Sequence, residues 1–205
     1  MKIITVSREF GSGGREIAKR LSDALGIAYY DSEIITEIAK KADLDENYVA
    51  NSLEKGIQPA FQIHFACAFS HISAPDPTVK LLAAQRNIIN ELAEKGDCII
   101  VGRAADVLLE KYHPFRIFVY ADMESKVERC RKRADDNSKL TDREIEKKIK
   151  QIDKGRASSY NMISSTDWGD KRGYDLCVNT TNMNIKEITP FIAEYARQWF
   201  KDKQA

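Results

Sequence analysis

The stretch SREFGSGGREIAKRL, residues 7–21, constrains the fold of this chain more than any other. The short apolar run Ile3–Val6 precedes it, and three glycines, Gly11, Gly13 and Gly14, fall within four positions before a helical pattern begins. Glycine permits positive φ and lets other groups approach the backbone closely, and a helix N-terminus attracts anions. The stretch predicts a phosphate-binding loop between a strand and a helix, with a tight turn that binds no ligand as the alternative.

Apolar runs separated by helical patterns extend this arrangement along the chain. The predicted strands are Ile3–Val6, Ile27–Tyr30, Cys98–Val101, Ile117–Tyr120 and Leu176–Val178. Several of these runs are rich in Ile and Val and lack alternation, which is typical of strands buried on both faces of a parallel sheet. Strands that alternate with helices predict a doubly wound α/β fold.

Two excursions interrupt this rhythm in a chain whose 205 residues fit one domain. The first, residues 43–80, carries aromatics, alanines and prolines, and the second, residues 135–172, is polar and charged. In the second, Thr141 and Glu144 have the spacing of a capping box and predict the start of a long helix. The core is then expected to comprise residues 1–42, 81–134 and 173–205.

Composition excludes several classes of protein. A net charge of +1 gives no reason to expect nucleic acid or an anionic membrane as partner. No apolar run approaches membrane length, and MKIITV is too short for a signal sequence, so we expect a cytoplasmic protein. The four cysteines form no C-x-x-C pair and are expected to be buried, reduced thiols. They are Cys67, Cys98, Cys130 and Cys177.

Another glycine, Gly102 in the stretch IIVGRAADVLL, marks a second candidate site. Gly102 and Arg103 follow a buried strand at its carboxyl end, the edge where doubly wound sheets bind ligands. Arginine there can bind a phosphate through two hydrogen bonds. Asp106 is either a Mg²⁺ ligand or an ordinary acid in the first turn of a helix. Asp31, after the second predicted strand, either contacts a substrate or caps the next helix, and its position favours capping.

The helix predicted in residues 135–172 carries an arginine on its apolar face. Ile145, Ile149 and Ile152 form a stripe, and Arg156 lies four residues further on. A guanidinium that points inward needs an anionic partner. Asp153 is one candidate partner, and a phosphoryl group in transfer is the other.

Taken together, these segments resemble the cytidylate kinase-like family of P-loop proteins, which are relatives of the nucleoside monophosphate kinases. The resemblance spans residue 3 to about residue 181 and rests on the stretches TVSREFGSGGREIAKRLSDALGI, AQRNIINELAEKGDCIIVGRAADVLL, IDKGRASSYN and DWGDKRGYDLCVNT. It implies a P-loop NTPase-type sheet of five parallel strands. It also implies a helical substrate-binding insertion at residues 43–80 and a lid at residues 135–172.

The resemblance further implies ATP as phosphoryl donor, Mg²⁺, and a small-molecule acceptor such as the nucleoside monophosphate CMP. Gly11, Gly13 and Gly14 match the phosphate loop, and Arg103 matches the turn that holds the acceptor phosphate. Arg131, Asp153 and Arg156 match the lid residues that close over the phosphates.

The loop departs from the family pattern. Gly14 stands at the position of the P-loop lysine, Glu16 at that of the Mg²⁺-binding Ser/Thr, and Arg8 replaces the opening glycine. Arg8 or Arg15 can supply positive charge, although guanidinium and ammonium are not equivalent. Glu16 can coordinate metal, and Ser7 and Ser12 are alternative hydroxyls nearby.

A dinucleotide site is the weaker alternative for the same stretch. A G-x-G-x-x-G pattern that starts at Gly11 needs a third glycine where Glu16 stands, although Asp31 occupies the place of a ribose-binding acid.

Two functions therefore compete. The first is an ATP-dependent kinase acting on a nucleoside monophosphate or a similar small acceptor. The second is a catalytically silent nucleotide-binding sensor or interaction module. The apolar C-terminal stretch FIAEYARQWF is either core or a homodimer face, and we favour core.

Overall fold

A parallel five-stranded sheet forms the centre of the computed structural model, which describes residues 1–55, 77–133 and 140–203. Its strands are β1 (Ile3–Arg8), β2 (Ala28–Tyr30), β3 (Cys98–Val101), β4 (Phe115–Tyr120) and β5 (Leu176–Asn179). Across the sheet they follow the order β2-β3-β1-β4-β5, and every pairing is parallel. The predicted α/β sheet is confirmed.

Strand β4 begins two residues before its predicted start. Phe115 and Arg116 both belong to this strand. The charged Arg116 interrupts the apolar run, so the apolar pattern predicted a later start. The Arg116 side chain is paired: Nε and Nη2 donate to the two carboxylate oxygens of Asp175, at 3.2 and 3.1 Å. A partner beside β5 thus allows a cation within a strand of the sheet.

The strand order creates a crevice between β1 and β3. These strands are neighbours, with Val6 opposite Val101. The connection that leaves β1 runs towards β2, and the one that leaves β3 runs to β4 on the opposite side. Such a switch point is where open α/β sheets bind ligands, outside the carboxyl ends of the strands.

Helices cover both faces of the sheet. They are α1 (Gly14–Leu25), α2 (Glu33–Ala42), α3 (Glu46–Lys55), α4 (Pro77–Glu94), α5 (Ala105–Leu108), α6 (Met123–Arg133), α7 (Asp142–Asn161) and α8 (Ile185–Asp202). Alternate residues of β1 point to opposite faces: Ile3 packs with α2 and α4, whereas Ile4 and Val6 pack with α1 and α8. The fold is therefore doubly wound.

The helix α7 starts as its sequence predicts. The Thr141 hydroxyl accepts a hydrogen bond from Glu144 N at 3.3 Å, and Thr141 N donates to the Glu144 carboxylate at 2.8 Å. This helix packs against α3, and Ser159 Oγ donates to Ser52 O at 3.4 Å. The two excursions thus contact each other, while residues 56–76 lie outside the described part of the chain.

Helix α8 divides between core and surface. Ile192, Ala193, Ala196 and Phe200 are buried, which confirms core packing for this face. On the other face, Phe191 is 78% exposed and Tyr195 is 49% exposed.

The cysteines differ in burial. Cys98 is buried, and burial raises the pKa of its thiol to about 11. Cys130 and Cys177 are only half-buried, which corrects the prediction for these two, and no disulfide joins any of the three to another cysteine of the described residues. Cys67 lies outside the described residues. Among those residues, no helix is both long and apolar enough to cross a membrane.

Candidate functional site

The glycine-rich loop joins β1 to α1 and opens onto a cavity of about 590 Å³. Gly11 and Gly13 have φ of 80° and 85°, a region that favours glycine. Gly13 is the N-cap of α1, and no side chain of the described residues caps this helix end. The first N–H groups of α1 and its positive dipole end therefore face the cavity, an arrangement that suits an anion.

Protein atoms hold this loop from behind. Ser12 is fully buried, its hydroxyl donates to Glu9 O at 2.9 Å, and its carbonyl accepts from the Thr180 hydroxyl at 2.7 Å. A Cβ on Gly13 would lie 2.7 Å from Cδ1 of Ile185, at the start of α8. The glycines are thus required by packing within the protein as well as by any ligand.

Cationic side chains dominate the described wall of this glycine-loop cavity. The wall holds five cations against the single acid Glu9. The cations are Arg8, Arg15, Arg133, Lys148 and Arg156. Such an excess of positive charge in a concave site attracts anions.

Arg8, at the end of β1, fills the space that two glycines leave. A Cβ on Gly14 would lie 2.5 Å from the Arg8 Cβ, and one on Gly102 would lie 1.8 Å from Arg8 Nη1. Arg8 is only 9% exposed, and its guanidinium lies 3.7 Å from the carboxylate of Asp31. Glycine at 14 and 102 therefore makes room for a buried arginine in the crevice between β1 and β3.

Asp31 does not cap α2, which corrects that prediction. The helix begins after Ser32, and none of the side chains that the structure describes caps it. The buried Asp31 carboxylate instead pairs with Arg8 and Arg15 and accepts a hydrogen bond from the Tyr29 hydroxyl at 3.1 Å. This carboxylate offsets the charge of two arginines beside the glycine loop.

A second, smaller cavity of about 40 Å³ lies at the turn after β3. Gly102, Arg103 and Ala104 have φ of 71°, 58° and 48°, so two residues other than glycine adopt the left-handed region in succession. Such backbone strain clusters at functional sites. Arg103 lines the cavity, as its position after β3 predicts.

Two arginines line both cavities. They are Arg8 and Arg156, and the Arg156 guanidinium donates to Arg8 O at 3.0 Å. The inward orientation predicted for Arg156 is confirmed, since its side chain is 15% exposed and lies over the Phe10 ring. The glycine-loop cavity and the Gly102–Ala104 cavity thus meet at a shared pair of cations.

An ion cluster around the buried Lys126, behind the loop, was not predicted from the sequence. The ammonium of Lys126, in α6, is 2.9 Å from Glu9 and 3.6 Å from Asp153. Asp153 also accepts from Phe10 N at 2.7 Å, and its burial raises the pKa of its carboxyl above the ordinary value. The one available sequence signal is that Lys126 lies four residues before Cys130, on the apolar side of α6.

Three residues assigned from the sequence lie apart from the two cavities. Arg131 pairs with Asp142 on the surface and is 58% exposed. Glu16 pairs with Arg20 at 3.0 Å and with Arg133 at 3.1 Å.

Asp106 is the third of these residues. It is buried in α5 and accepts from the Tyr160 hydroxyl at 2.8 Å. Its burial raises the pKa of its carboxyl. Neither Asp106 nor Glu16 therefore presents a carboxylate to the glycine loop.

Comparison with known proteins places the chain in a family. The model of the cytidylate kinase-like family matches residues 3–182. The chain therefore belongs to the cytidylate kinase-like family. No curated protein matches this chain significantly.

Solved structures resemble this family member over almost its whole length. An uncharacterized protein from Eubacterium ventriosum is 24% identical, with a TM-score of 0.67, and the match covers 96% of this chain and 99% of that one. A shikimate kinase from Acinetobacter baumannii, in complex with shikimate, is 15% identical, with a TM-score of 0.53 and coverages of 97% and 94%. A gluconokinase from Sinorhizobium meliloti is 14% identical, with a TM-score of 0.55 and coverages of 99% and 95%.

These neighbours share the P-loop kinase fold with this chain. Family and fold together support a role as a nucleotide or small-molecule kinase.

Proposed function

We propose that this protein transfers the γ-phosphoryl group of ATP to a nucleoside monophosphate, such as CMP, or to a similar small anionic acceptor. The observation that carries the proposal is the meeting of two cavities at Arg8 and Arg156. Phosphoryl transfer needs a donor and an acceptor side by side, with cations at the point where charge develops.

The glycine-loop cavity is the proposed donor site. The N–H groups at the start of α1 bind the phosphates of ATP, and Gly11, Gly13 and Gly14 leave the backbone accessible. Arg15, at the start of α1, and Arg133, at the end of α6, add positive charge at this cavity. These guanidinium groups replace the P-loop lysine, which this chain lacks.

The cavity at Gly102–Ala104 is the proposed site for the anionic group of the acceptor and the atoms next to it. Arg103 grips the anionic group of the acceptor, and Leu82 and Trp168 supply apolar wall. The family indicates a nucleoside monophosphate. The shikimate kinase and the gluconokinase among the structural neighbours show that small acceptors other than nucleotides occur on this fold.

In the proposed reaction, an oxygen of the acceptor attacks the γ-phosphorus of ATP. The new P–O bond forms as the bond to the β–γ bridging oxygen breaks, and the electron pair of that bond leaves on ADP. Arg8 and Arg156 stabilise the charge on the transferring group. Asp153 holds Phe10 N and lies 3.9 Å from Arg156, so it positions the loop and the arginine together.

The described carboxylates do not gather into a metal-binding cluster. No described group of three His, Cys, Asp or Glu side chains could hold a metal ion. Glu16 is engaged by two arginines, and Asp106 is bound to Tyr160. We propose that Mg²⁺ enters bound to the phosphates of ATP.

Replacing Arg156 tests the proposal. The enzyme is incubated with ATP, Mg²⁺ and, in turn, CMP, UMP, AMP, shikimate and gluconate, and ADP formation is measured. Arg156→Met should lower kcat/KM for the best acceptor by about 100-fold, since it removes charge stabilisation at the transferring group. Arg143→Met is the matched control, because Arg143 lies on the same helix and is exposed. If the unaltered protein forms no more ADP than Arg156→Met with any acceptor, the proposal is wrong.

A silent nucleotide-binding module is the second candidate, and one observation favours it. Arg15 pairs with Asp31, and Glu16 pairs with Arg20 and Arg133, so part of the charge beside the last loop glycine is already neutralised within the protein. This module would bind ATP and raise its own melting temperature without forming ADP. The same assay, run beside a thermal-shift measurement, separates the two functions.

A further inference from the structure

Gln85, in α4, carries a buried amide whose orientation the structure determines. The residue is only 3% exposed, and its Nε2 donates to Arg103 O at 2.9 Å. A carbonyl accepts hydrogen bonds and cannot donate them, so the amide nitrogen must face Arg103. The amide oxygen is therefore the other terminal atom of this side chain.

That oxygen has no hydrogen-bond partner in the part of the chain that the structure describes. Buried polar atoms in folded proteins nearly always have a partner, and an exception calls for an explanation such as a catalytic role or a missing partner. Gln85 lines the cavity at Gly102–Ala104, which is the proposed acceptor site. A bound acceptor substrate is therefore in a position to supply the missing hydrogen-bond donor.

The surroundings of Gln85 define what such an acceptor must carry. Three arginines line the same cavity and require an anionic group. None of these arginines can accept a hydrogen bond, because guanidinium groups only donate hydrogen bonds. The Gln85 oxygen is thus a hydrogen-bond acceptor in a cavity otherwise rich in donors, and it suits a hydroxyl or amino group.

We propose that Gln85 Oε1 accepts a hydrogen bond from a hydroxyl or amino group of the acceptor substrate and selects acceptors that carry this group. The inference rests on the proposed kinase function and adds a requirement to it: the acceptor bears a donor group as well as an anion. A site built to bond such a group discriminates strongly against an analogue that lacks it, since the buried oxygen would then stay unpaired.

A purely structural role for Gln85 makes a different prediction. In that role, the hydrogen bond from Gln85 to Arg103 O would only support the strained turn at Arg103. Losing this bond would then lower kcat/KM for every acceptor substrate by the same factor. Selection predicts instead that the loss depends on the chemistry of the acceptor. The ratio between two acceptors therefore separates the two roles.

The test compares acceptors that differ in one donor group. ADP formation is measured with CMP, with dCMP, which lacks the 2′-hydroxyl, and with UMP, which has a carbonyl in place of the 4-amino group. For the unaltered enzyme we expect one analogue to have a kcat/KM about tenfold below that of CMP. In Gln85→Met, which keeps the side-chain length, this ratio should fall to within about twofold of unity.

Asn90→Leu is the matched control. Asn90 lies on the same helix, its amide donates to Arg86 O at 2.8 Å, and its oxygen is also buried without a described partner. It lines a different cavity, so Asn90→Leu should keep the ratios of the unaltered enzyme.

The remaining outcomes contradict either the selection by Gln85 or the kinase function itself. Equal kcat/KM for all three nucleotides in the unaltered enzyme overturns the selection by Gln85, even if Gln85→Met does not fold. A ratio unchanged in Gln85→Met, with ADP still formed, overturns it as well and leaves the kinase function standing. If neither these nucleotides nor AMP, shikimate and gluconate yield ADP, the kinase function itself fails, and this inference fails with it.

Discussion

At the scale of single residues, the candidate site depends on buried charges and on what they contact. Arg8 illustrates this, because one side chain fills the space left by Gly14 and Gly102, pairs with Asp31 and lines both cavities. A lysine at the same position would present a single ammonium instead of a planar fork. The chemistry of position 8 is therefore inseparable from the glycines around it.

Asp106 leads to a prediction of pH dependence. Burial raises the pKa of this carboxyl above its ordinary value of 3.8, so the folded state holds the proton to higher pH than the unfolded state does. The free energy of unfolding therefore decreases as the pH rises from about 3.8 through the raised value. Asp106→Asn has no proton to lose, and its stability relative to the unaltered protein should improve across that window.

Urea unfolding at pH values from 4 to 8 measures this difference. The exposed Asp23, paired with Lys19 on the surface of α1, provides the control variant Asp23→Asn. A stability difference between Asp106→Asn and the unaltered protein that stays constant with pH would contradict the prediction.

At the scale of elements, the glycine loop is joined to α8 as well as to β1 and α1. Gly13→Ala tests this contact. Alanine at this positive φ costs about 1 kcal/mol, and overpacking against Ile185 adds about 2 kcal/mol, so we expect a loss of about 3 kcal/mol in unfolding free energy. Denaturant titration gives the value.

Gly26→Ala is the control for the backbone cost alone. Gly26 also has positive φ, at 65°, but a Cβ there would have open space. We expect a loss of about 1 kcal/mol. Ile185→Val removes the Cδ1 that the new methyl meets, and should restore part of the difference between the two alanine variants. Equal losses in Gly13→Ala and Gly26→Ala would show that the contact with α8 does not constrain the loop.

At the scale of the whole molecule, the Lys126 cluster connects distant parts of the chain. Glu9 and Phe10 come from the end of β1, Lys126 from α6 and Asp153 from α7. Lys126→Met leaves two partly buried carboxylates without their buried cation, and should lower the unfolding free energy by about 3 kcal/mol. Chemical denaturation measures the effect.

Lys132→Met is the matched control on the same helix. Lys132 is 72% exposed and pairs with Glu128 one turn away, and such an exposed pair contributes little to stability. Adding Glu9→Gln to Lys126→Met should recover part of the stability, because it removes one of the uncompensated charges. A loss in Lys126→Met no greater than that in Lys132→Met would contradict the connecting role of the cluster.

Much of the fold follows from local patterns. All five strands were located because buried parallel strands are apolar throughout, and α7 was placed because its capping box is a local signal. Arg116 was missed as a strand residue since its partner, Asp175, lies 59 residues away. Asp31 was expected to cap a helix because capping is the commonest use of an aspartate there, whereas its actual partners include Arg8 from another strand.

The sequence by itself determined the α/β class, the glycine loop and the inward-facing Arg156, because each depends on residues close together in the chain. Only the tertiary structure decided which charges meet. It placed Arg8 beside Gly102, Lys126 beneath the loop and Gln85 against Arg103, and it placed Arg131 on the surface. The physical reason is that an ion pair or hydrogen bond depends on distances of a few ångströms, and for residues far apart in sequence the packing of the whole sheet sets those distances.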